Sequence, residues 1–304
     1  MRLISRFLSV CATCLVISAN IGAAAPPVTA LAYRPGGEQI ALGVGGNVIL
    51  TDTSSDRVLL RFSFGTGRVT ALSWSSDGKM IAIAGGQPAK SGEVHLYAVW
   101  PNGSIAIMTR HMIAAHADLI HALAFSADGK TLATCSYDRL IKLWDTRTGI
   151  LLRTLKDHSD AVYGISFRPD GGLLASVAAD RSVKIWDPAT GTRLYSLGDS
   201  TDWVNAVAWS PDGKRVAAAG VDKSIRLWDV SAKEGKLVLS AFAHEKPVLK
   251  LAFTADGSTL FSLGEDRVVK AWDAAKLTDK KVYSAQPESV LSFDVAVLTQ
   301  REKS

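Results

Sequence analysis

Short runs of alternating apolar and polar residues fill the stretch from His116 to Asp145. LIHALAF, LATC and IKLW follow one another there, and a period of two residues is typical of half-buried β-strands. The runs are separated by Asp128-Gly129 and Asp138-Arg139, and Asp-Gly is among the strongest signals for a tight hairpin turn. The pattern therefore predicts a small antiparallel sheet built from short strands.

The same pattern recurs at regular intervals after residue 116. Further copies begin at His158, Ser200 and His244. The turn aspartates of the four copies are 42, 42 and 44 residues apart, at Asp138, Asp180, Asp222 and Asp266. Six residues after each of them stands the tryptophan of a Trp-Asp pair, namely Trp144, Trp186, Trp228 and Trp272. A period of about 40–45 residues with four strands and a Trp-Asp pair predicts the blades of a β-propeller.

These copies resemble the repeats of the WD-repeat β-propeller family, and the resemblance covers nearly all of the chain after residue 25. It implies an all-β fold of four-stranded antiparallel blades. Two worn copies come first, with Thr51 and Tyr97 at the tryptophan position. Six blades are predicted, at about 28–67, 68–115, 116–157, 158–199, 200–243 and 244–286, with one strand of an incomplete seventh in 287–304. The ring is then either six-bladed with a loose final strand or a truncated seven-bladed design.

Residues 1–24 have the pattern of a secretory signal peptide. Arg2 and Arg6 form a basic start, an apolar run of about fifteen residues follows, and small residues favour cleavage after Ala24. The alternative is an uncleaved membrane anchor, for which the apolar run is short. We therefore expect a single exported propeller domain over 25–304, periplasmic or extracellular, with no stable membrane span after cleavage. In this respect the chain resembles exported bacterial WD-repeat proteins.

Composition narrows the classes of partner. The net charge is +5, two of these charges belong to the leader, and the others are evenly spread, so no nucleic-acid surface is predicted. Cys11 and Cys14 lie in the leader, and the mature chain keeps only Cys135. A disulfide framework is therefore excluded. Hydrophobic residues make up 47% of the chain, enough for a large core to supply stability without disulfides.

The resemblance also implies a role for the residues around each turn aspartate. In the family, a histidine and a hydroxyl residue, which here stand 22 and four residues before the aspartate, join it to the tryptophan through hydrogen bonds. Three complete networks are implied: His116, Thr134, Asp138 and Trp144; His158, Ser176, Asp180 and Trp186; His244, Ser262, Asp266 and Trp272. The fifth copy keeps Asp222 and Trp228 but has Ser200 and Ala218 elsewhere. Asp180→Ala is therefore expected to destabilise the fold more than Asp222→Ala, by roughly 1–2 kcal/mol.

Other chemistry is disfavoured. The His, Asp and Ser sets resemble catalytic triads, but a catalytic set does not recur three times at one spacing, and a triad is defined by geometry and role. His111, His116 and His121 are evenly spaced, yet His116 belongs to a network and a structural metal site usually needs four ligands. The sequence therefore predicts no enzyme, no cofactor and no metal site.

The resemblance places the usual binding surface on the narrower face of the propeller, which we call the top face. It is formed by the residues that open each innermost strand and those just before each turn aspartate. The first ring holds Arg68, Leu119, Ala161, Trp203 and Pro247; the second holds Thr70, His121, Tyr163, Asn205 and Leu249; the ring before the aspartates holds Tyr137, Ala179, Val221 and Glu265. The insertion Gln87–Gly92 is expected on the same face.

Trp203 is the tryptophan without an evident structural duty. Four of the eight tryptophans belong to Trp-Asp pairs, and Trp74 and Trp209 stand at the large core position of an innermost strand. Aromatic residues are enriched at the energetic centres of interfaces, and Trp203 with Tyr163, His121 and Tyr137 is expected to form one cluster. The alternative is a tryptophan that simply packs over the end of its blade.

Two hypotheses of function follow. The first is a non-catalytic exported scaffold that binds a protein or peptide through the top face, using Trp203, Tyr163, His121, Tyr137, Asn205, Arg68 and Leu249. The second is a propeller that binds a small ligand or glycan, or that positions substrate within a larger enzyme. Propellers host many functions, so the fold alone does not separate the two.

Overall fold

The computed structural model describes residues 28–55, 57–65, 67–99 and 105–283, the last range without the side chains of 105–114. Within these ranges the chain forms six antiparallel sheets of four strands each, arranged as blades in a ring. The predicted all-β propeller with six four-stranded blades is confirmed. The predicted signal peptide (1–24) and the predicted seventh-blade strand (in 287–304) lie outside the described residues.

Each blade is a meander in which strands pair in chain order. The first blade comprises β1 (Val28–Tyr33), β2 (Gln39–Val44), β3 (Asn47–Asp52) and β4 (Val58–Ser63). The second comprises β5 (Arg68–Trp74), β6 (Met80–Gln87), β7 (Ser91–Val99) and β8 (Ile105–His116). The third comprises β9 (Ile120–Phe125), β10 (Thr131–Ser136), β11 (Ile141–Asp145) and β12 (Leu151–Leu155).

The other three blades repeat this order. The fourth comprises β13 (Val162–Phe167), β14 (Leu174–Ala178), β15 (Val183–Asp187) and β16 (Thr192–Leu197). The fifth comprises β17 (Val204–Trp209), β18 (Arg215–Gly220), β19 (Ser224–Val230) and β20 (Gly235–Phe242). The sixth comprises β21 (Val248–Phe253), β22 (Thr259–Gly264), β23 (Val269–Asp273) and β24 (Asp279–Tyr283). The first strand of each blade lies innermost, around a central channel.

Burial changes from the middle of a blade to its edge. Every residue of β14, LASVA, is buried, because a middle strand is covered by neighbouring blades on both faces. The edge strand β16 is mostly exposed. The sequences of middle strands are therefore nearly continuous runs of small and apolar residues, whereas those of edge strands include charged and hydroxyl side chains.

The Asp-Gly turns of the second to sixth blades place their glycine in one backbone conformation. In the third blade the Asp128 carboxylate accepts hydrogen bonds from Ser126 Oγ at 2.6 Å and from the Lys130 backbone N–H at 3.0 Å. Gly129 has a φ of 68°, a left-handed conformation that glycine adopts without steric cost. This requirement is why Asp-Gly recurs between the first two strands.

Neighbouring blades are held together by buried apolar clusters. Five clusters join the first blade to the second and so on to the sixth. The Trp-Asp tryptophans lie in them, as when Trp186 packs with Ile141 and Leu143 of the preceding blade. Removing a wide, fully buried indole would therefore leave a cavity between two blades rather than within one.

The junction between the sixth and first blades differs from the other five. On the first blade, Leu31, Tyr33 and Ile40 belong to a buried cluster that contains residues of that blade alone. On the sixth blade, Phe261 and Val269 belong to a second such cluster. Each of the other five pairs of neighbouring blades shares one cluster. Among the described residues, the sixth and first blades have these two separate clusters instead.

In the third, fourth and sixth blades the structure brings together each of the predicted networks. Trp144 Nε1 donates to Thr134 Oγ1 at 3.0 Å, and Thr134 Oγ1 lies 2.8 Å from His116 Nε2. His116 Nδ1 lies 2.9 Å from Asp138 Oδ2, which also accepts from the Ala117 backbone N–H at 3.1 Å. The indole N–H, the hydroxyl, the imidazole and the carboxylate thus satisfy one another inside the blade.

The other two networks repeat these distances. His158 Nδ1 lies 2.8 Å from Asp180 Oδ2, and His244 Nδ1 lies 3.0 Å from Asp266 Oδ2. The networks continue through Ser176 to Trp186 at 2.7 and 2.8 Å, and through Ser262 to Trp272 at 2.7 and 2.9 Å. Burial lowers the pKa of His116 and of His244. The hydrogen bond and the charge of the neighbouring aspartate act in the opposite direction but are each smaller, and both pKa values stay below the usual one.

The fifth blade replaces the missing histidine with an arginine. Arg226 Nη1 donates to Asp222 Oδ2 at 2.6 Å, and both side chains are largely buried. Asp222 also accepts from the backbone N–H groups of Thr201 and Ser224, each at 3.1 Å. Ala218 stands where the third, fourth and sixth blades have a hydroxyl residue, and the Trp228 Nε1 group is buried without a hydrogen-bond partner among the described residues. The fifth blade thus keeps a satisfied aspartate but not a satisfied tryptophan, and the expected difference between Asp180→Ala and Asp222→Ala changes accordingly.

Candidate binding face

On the top face, the residue that precedes a turn aspartate donates a backbone hydrogen bond to the first-ring residue of the same blade. The N–H of Val221 donates to the carbonyl of Trp203 at 2.8 Å, and the N–H of Glu265 donates to the carbonyl of Pro247 at 2.8 Å. The third blade has the same bond between Tyr137 and Leu119, and the fourth has it between Ala179 and Ala161. Each of these four blades therefore presents one residue of each ring side by side.

Side chains near the start of the innermost strands connect neighbouring blades. His121 Nδ1 donates to the carbonyl of Tyr163 at 2.9 Å, and Asn205 Nδ2 donates to the carbonyl of Val248 at 3.0 Å. Thr29 and Thr70 donate in the same way to the carbonyls of Val69 and Ile120. His121 and Asn205 were predicted as binding residues, and the structure gives their donors a role in holding the ring.

The four predicted aromatic side chains form one cluster. His121, Tyr137 and Tyr163 meet edge to face, with ring centroids 5.0 to 5.7 Å apart. Tyr163 lies 6.2 Å from Trp203 at an interplanar angle of 33°. Such contacts stabilise aromatic pairs beyond the burial of their area. Trp203 nevertheless keeps 48% of its surface exposed, so the cluster leaves an indole face open to solvent.

The cluster borders a depression of about 460 Å³ at the mouth of the central channel. Its lining includes the predicted residues Arg68, His121, Tyr163, Trp203, Asn205 and Leu249. Tyr137 is not part of the lining, but its ring contacts His121 and Tyr163, which are. The seven side chains predicted for binding are thus brought to one place, and Lys250 and Glu265 join them there.

The hairpin insertion lies beside the third blade. β6 and β7 extend to Gln87 and Ser91, which pair with each other. The backbone N–H of Ala89 at its tip donates to Asp118 Oδ1 at 2.7 Å, and Asp118 immediately precedes the first-ring residue Leu119. The hairpin is therefore anchored at the edge of the top face.

The electrostatics of the depression keep its histidine neutral. Burial, then the positive charges of Lys250 and Arg68, outweigh the hydrogen bond to Tyr163 and lower the pKa of His121 to about 4. The imidazole therefore carries no charge near neutral pH, with its proton on Nδ1, where it bonds the Tyr163 carbonyl. The positive charge at the channel mouth comes from Arg68 and Lys250.

This lowered pKa predicts a loss of stability in mild acid. In the unfolded chain a histidine titrates near 6.5, so between about pH 6.5 and 4 the unfolded state binds a proton that the folded His121 does not. We expect this residue to contribute a loss of about 2 kcal/mol in the free energy of unfolding over that range. Denaturant unfolding at a series of pH values measures it.

The control is His121→Asn, since Asn205 already supplies an amide donor at the same position of the fifth blade. The acid loss should be smaller in this variant by the contribution of His121, while the contributions of His116 and His244 remain. Identical pH profiles for the two proteins would contradict the assignment.

Comparison with known families agrees with this architecture. A model of the family described as WD domain, G-beta repeat, matches residues 57–97, 108–145, 149–187, 191–229 and 235–273. The last three matches each begin on or just before the edge strand of one blade and end on the third strand of the next. The chain belongs to the WD-repeat family. WD-repeat propellers typically act as scaffolds for protein interactions.

Several curated WD-repeat proteins are similar to parts of this one. An uncharacterized WD repeat-containing protein of Synechocystis sp. is 30% identical over 43% of this chain and 35% of its own length. WD repeat-containing protein 1 of Xenopus tropicalis is 31% identical over 41% of this chain and 27% of its own. An uncharacterized WD repeat-containing protein of Schizosaccharomyces pombe is 32% identical over 39% and 19%. This WD-repeat chain thus spans about a fifth to a third of the relatives that it matches.

Within the described ranges, no group of three or more His, Cys, Asp or Glu side chains is arranged to hold a metal ion. No helix in the described part of the chain has the length and hydropathy to cross a membrane.

Proposed function

We propose that this WD-repeat propeller is a non-catalytic, exported scaffold that binds a protein or peptide partner through its top face. The observation that carries the proposal is the aromatic cluster, in which Trp203 is packed against Tyr163 on one side and remains 48% exposed on the other. A rigid, half-exposed tryptophan loses little conformational entropy on binding, and such residues dominate interface energies. The signal-like pattern of residues 1–24 supports the export part of the proposal.

The geometry favours a partner on this face over a purely packing role for Trp203. A tryptophan that only covers the blade end would bury most of its rings, as Trp186 and Trp228 do. The seven candidate side chains instead converge around one depression. Its floor is fixed by hydrogen bonds between blades, so the site is organised before a partner arrives, which reduces the entropic cost of binding.

The test compares affinity capture by the mature protein and by a Trp203→Ala/Tyr163→Ala variant, from the envelope fraction of the native organism. Loss of two central aromatic residues should weaken binding by at least about tenfold, because each interface hot spot contributes about 2 kcal/mol or more. A retained protein should therefore disappear in the variant. Isothermal titration with that purified protein measures the loss.

A Leu152→Ala/Leu194→Ala variant provides the matched control. Both leucines are large, apolar and exposed, at 49% and 38%, but they lie on the edge strands of the third and fourth blades. This variant should bind as the unchanged protein does. Equal retention by the Trp203→Ala/Tyr163→Ala variant would overturn the top-face assignment. If neither the unchanged protein nor either variant captures a protein, the hypothesis of a protein partner would be overturned in favour of a small ligand or glycan.

A further inference from the structure

The charge at the channel mouth indicates what kind of partner fits the proposed face. Arg68 opens β5 on the first ring and is exposed. Among the described residues, none forms a hydrogen bond or ion pair with its guanidinium group. Lys250 reaches the same depression from the sixth blade, and Glu265 is the one carboxylate among the residues that line it. Among the described side chains that line the depression, two cations therefore face one carboxylate.

Other acidic residues lie at the rim, and the negative charge of Asp118 acts on Tyr137 from there. Asp118, Asp160 and Asp202 each accept a hydrogen bond from the backbone N–H of the residue that follows, at 2.6, 2.7 and 2.8 Å. These carboxylates are thus held against the start of the innermost strands, and none of the three lines the depression. His121 is neutral near pH 7 and therefore adds no positive charge.

Covering the aromatic cluster also covers the cation. Arg68 and the cluster share one depression, and the charge of Arg68 acts on both His121 and Tyr137. A partner that packs on Trp203 and Tyr163 and also fills this depression therefore removes water from the guanidinium group. Desolvating a charge is costly unless an opposite charge and hydrogen bonds replace the water. Such a partner must bring an anion to this position.

The size and lining of the depression determine the form of that anion. A volume of about 460 Å³ admits a few side chains rather than a folded surface. Trp203, Leu249 and Pro247 give one side of it an apolar wall. An aspartate or glutamate next to an apolar residue, in an extended segment, satisfies both parts, and a guanidinium group pairs well with a carboxylate.

We propose that the partner presents an acidic peptide segment, with a carboxylate side chain placed over Arg68 at the channel mouth and a neighbouring apolar side chain against Trp203. This inference rests on the proposed function, because it identifies the chemistry of the segment bound by the same face. It excludes a basic segment, whose charge Arg68 and Lys250 would repel.

The experiment selects peptides from a random display library on the full chain and discards those that also bind the Trp203→Ala/Tyr163→Ala variant. The remaining peptides should be enriched in Asp and Glu. Fluorescence anisotropy with the best of them should show Kd raised about tenfold by Arg68→Gln, the effect of one lost charge pair, and raised also by salt. Arg61→Gln is the control, since Arg61 is an exposed cation on the edge strand β4; it should leave Kd unchanged.

Three outcomes would overturn the inference, and they differ in what else they affect. Cluster-dependent peptides without acidic residues, or without an effect of Arg68→Gln, would overturn the acidic segment and leave the proposed function standing. Absence of any cluster-dependent peptide would overturn both. A short single-stranded oligonucleotide that binds more tightly than the peptides, and loses affinity with Arg68→Gln, would replace the acidic segment with nucleic acid.

Discussion

Replacing Asp180 by alanine is expected to lower the free energy of unfolding by about 3 kcal/mol, since it leaves several buried donors unpaired. Asp180 accepts hydrogen bonds from His158 at 2.8 Å, from the Ser159 N–H at 3.1 Å and from Ser182 Oγ at 2.6 Å. Burial raises its pKa, but the bonds from His158 and Ser182 outweigh burial and hold the pKa well below its usual value. The folded protein thus depends strongly on the ionised carboxylate.

Asp222→Ala is expected to lower the free energy of unfolding by about as much as Asp180→Ala does. The sequence alone predicts a smaller loss for Asp222→Ala. Its removal leaves the buried Arg226 guanidinium group without the carboxylate at 2.6 Å, and an unpaired buried charge costs about 3–5 kcal/mol. The additional change Arg226→Leu should then recover part of the loss, because it removes the orphaned charge. The corresponding recovery is not expected from His158→Leu in the Asp180→Ala background, since His158 also bonds Ser176.

Urea unfolding of the single and double variants, followed by circular dichroism, measures these differences as a double-mutant cycle. A markedly smaller loss for Asp222→Ala than for Asp180→Ala would contradict the role given to Arg226. An additive double variant in the fifth blade would contradict it as well.

Trp186→Ala is expected to cost about 4 kcal/mol, the range for removing a large aromatic side chain from a packed core. The indole is 2% exposed and lies between the third and fourth blades. The loss has two parts, a cavity between blades and the hydrogen bond from Trp186 Nε1 to Ser176 at 2.8 Å. The free energy of unfolding from denaturant titration measures their sum.

The equivalent tryptophan of the fifth blade separates the two parts. Trp186→Phe removes volume and a hydrogen bond, whereas Trp228→Phe removes similar volume and an N–H group that has no described partner. Trp186→Phe should therefore cost about 1 kcal/mol more than Trp228→Phe. Equal costs would show that the hydrogen bond to Ser176 contributes nothing to stability.

The sequence was sufficient for the blades and for three of the networks because both depend on fixed spacing. The interval from His158 to Asp180 and then to Trp186 reflects strand and turn lengths that every copy shares, so it can be read without coordinates. The same rings of positions brought Tyr163 and Trp203 together on one face. Local pattern carries this information because each blade repeats one register.

The remaining features depend on which side chains meet in three dimensions, within one blade or between two. Arg226 stands where the third, fourth and sixth copies have Lys142, Lys184 and Lys270, and only the structure shows the guanidinium group reaching Asp222. An arginine four residues after a turn aspartate that lacks its histidine was the available signal. Thr70, His121 and Asn205 form hydrogen bonds between blades with three different types of side chain. No common sequence motif therefore predicts these bonds. The contact from Ala89 to Asp118 depends on how one insertion folds over its neighbour.

Among the described residues, five shared clusters link the six blades into a nearest-neighbour array that runs from the first blade to the sixth. In such an array, stability is approximately a sum of terms for single units and for nearest neighbours. An end blade shares a described cluster with one neighbour, and an inner blade shares clusters with two. The fourth blade, which contains Asp180 and Trp186, contributes to two of these clusters. We therefore expect damage there to weaken two described interfaces at once, whereas equal damage in the first blade weakens one.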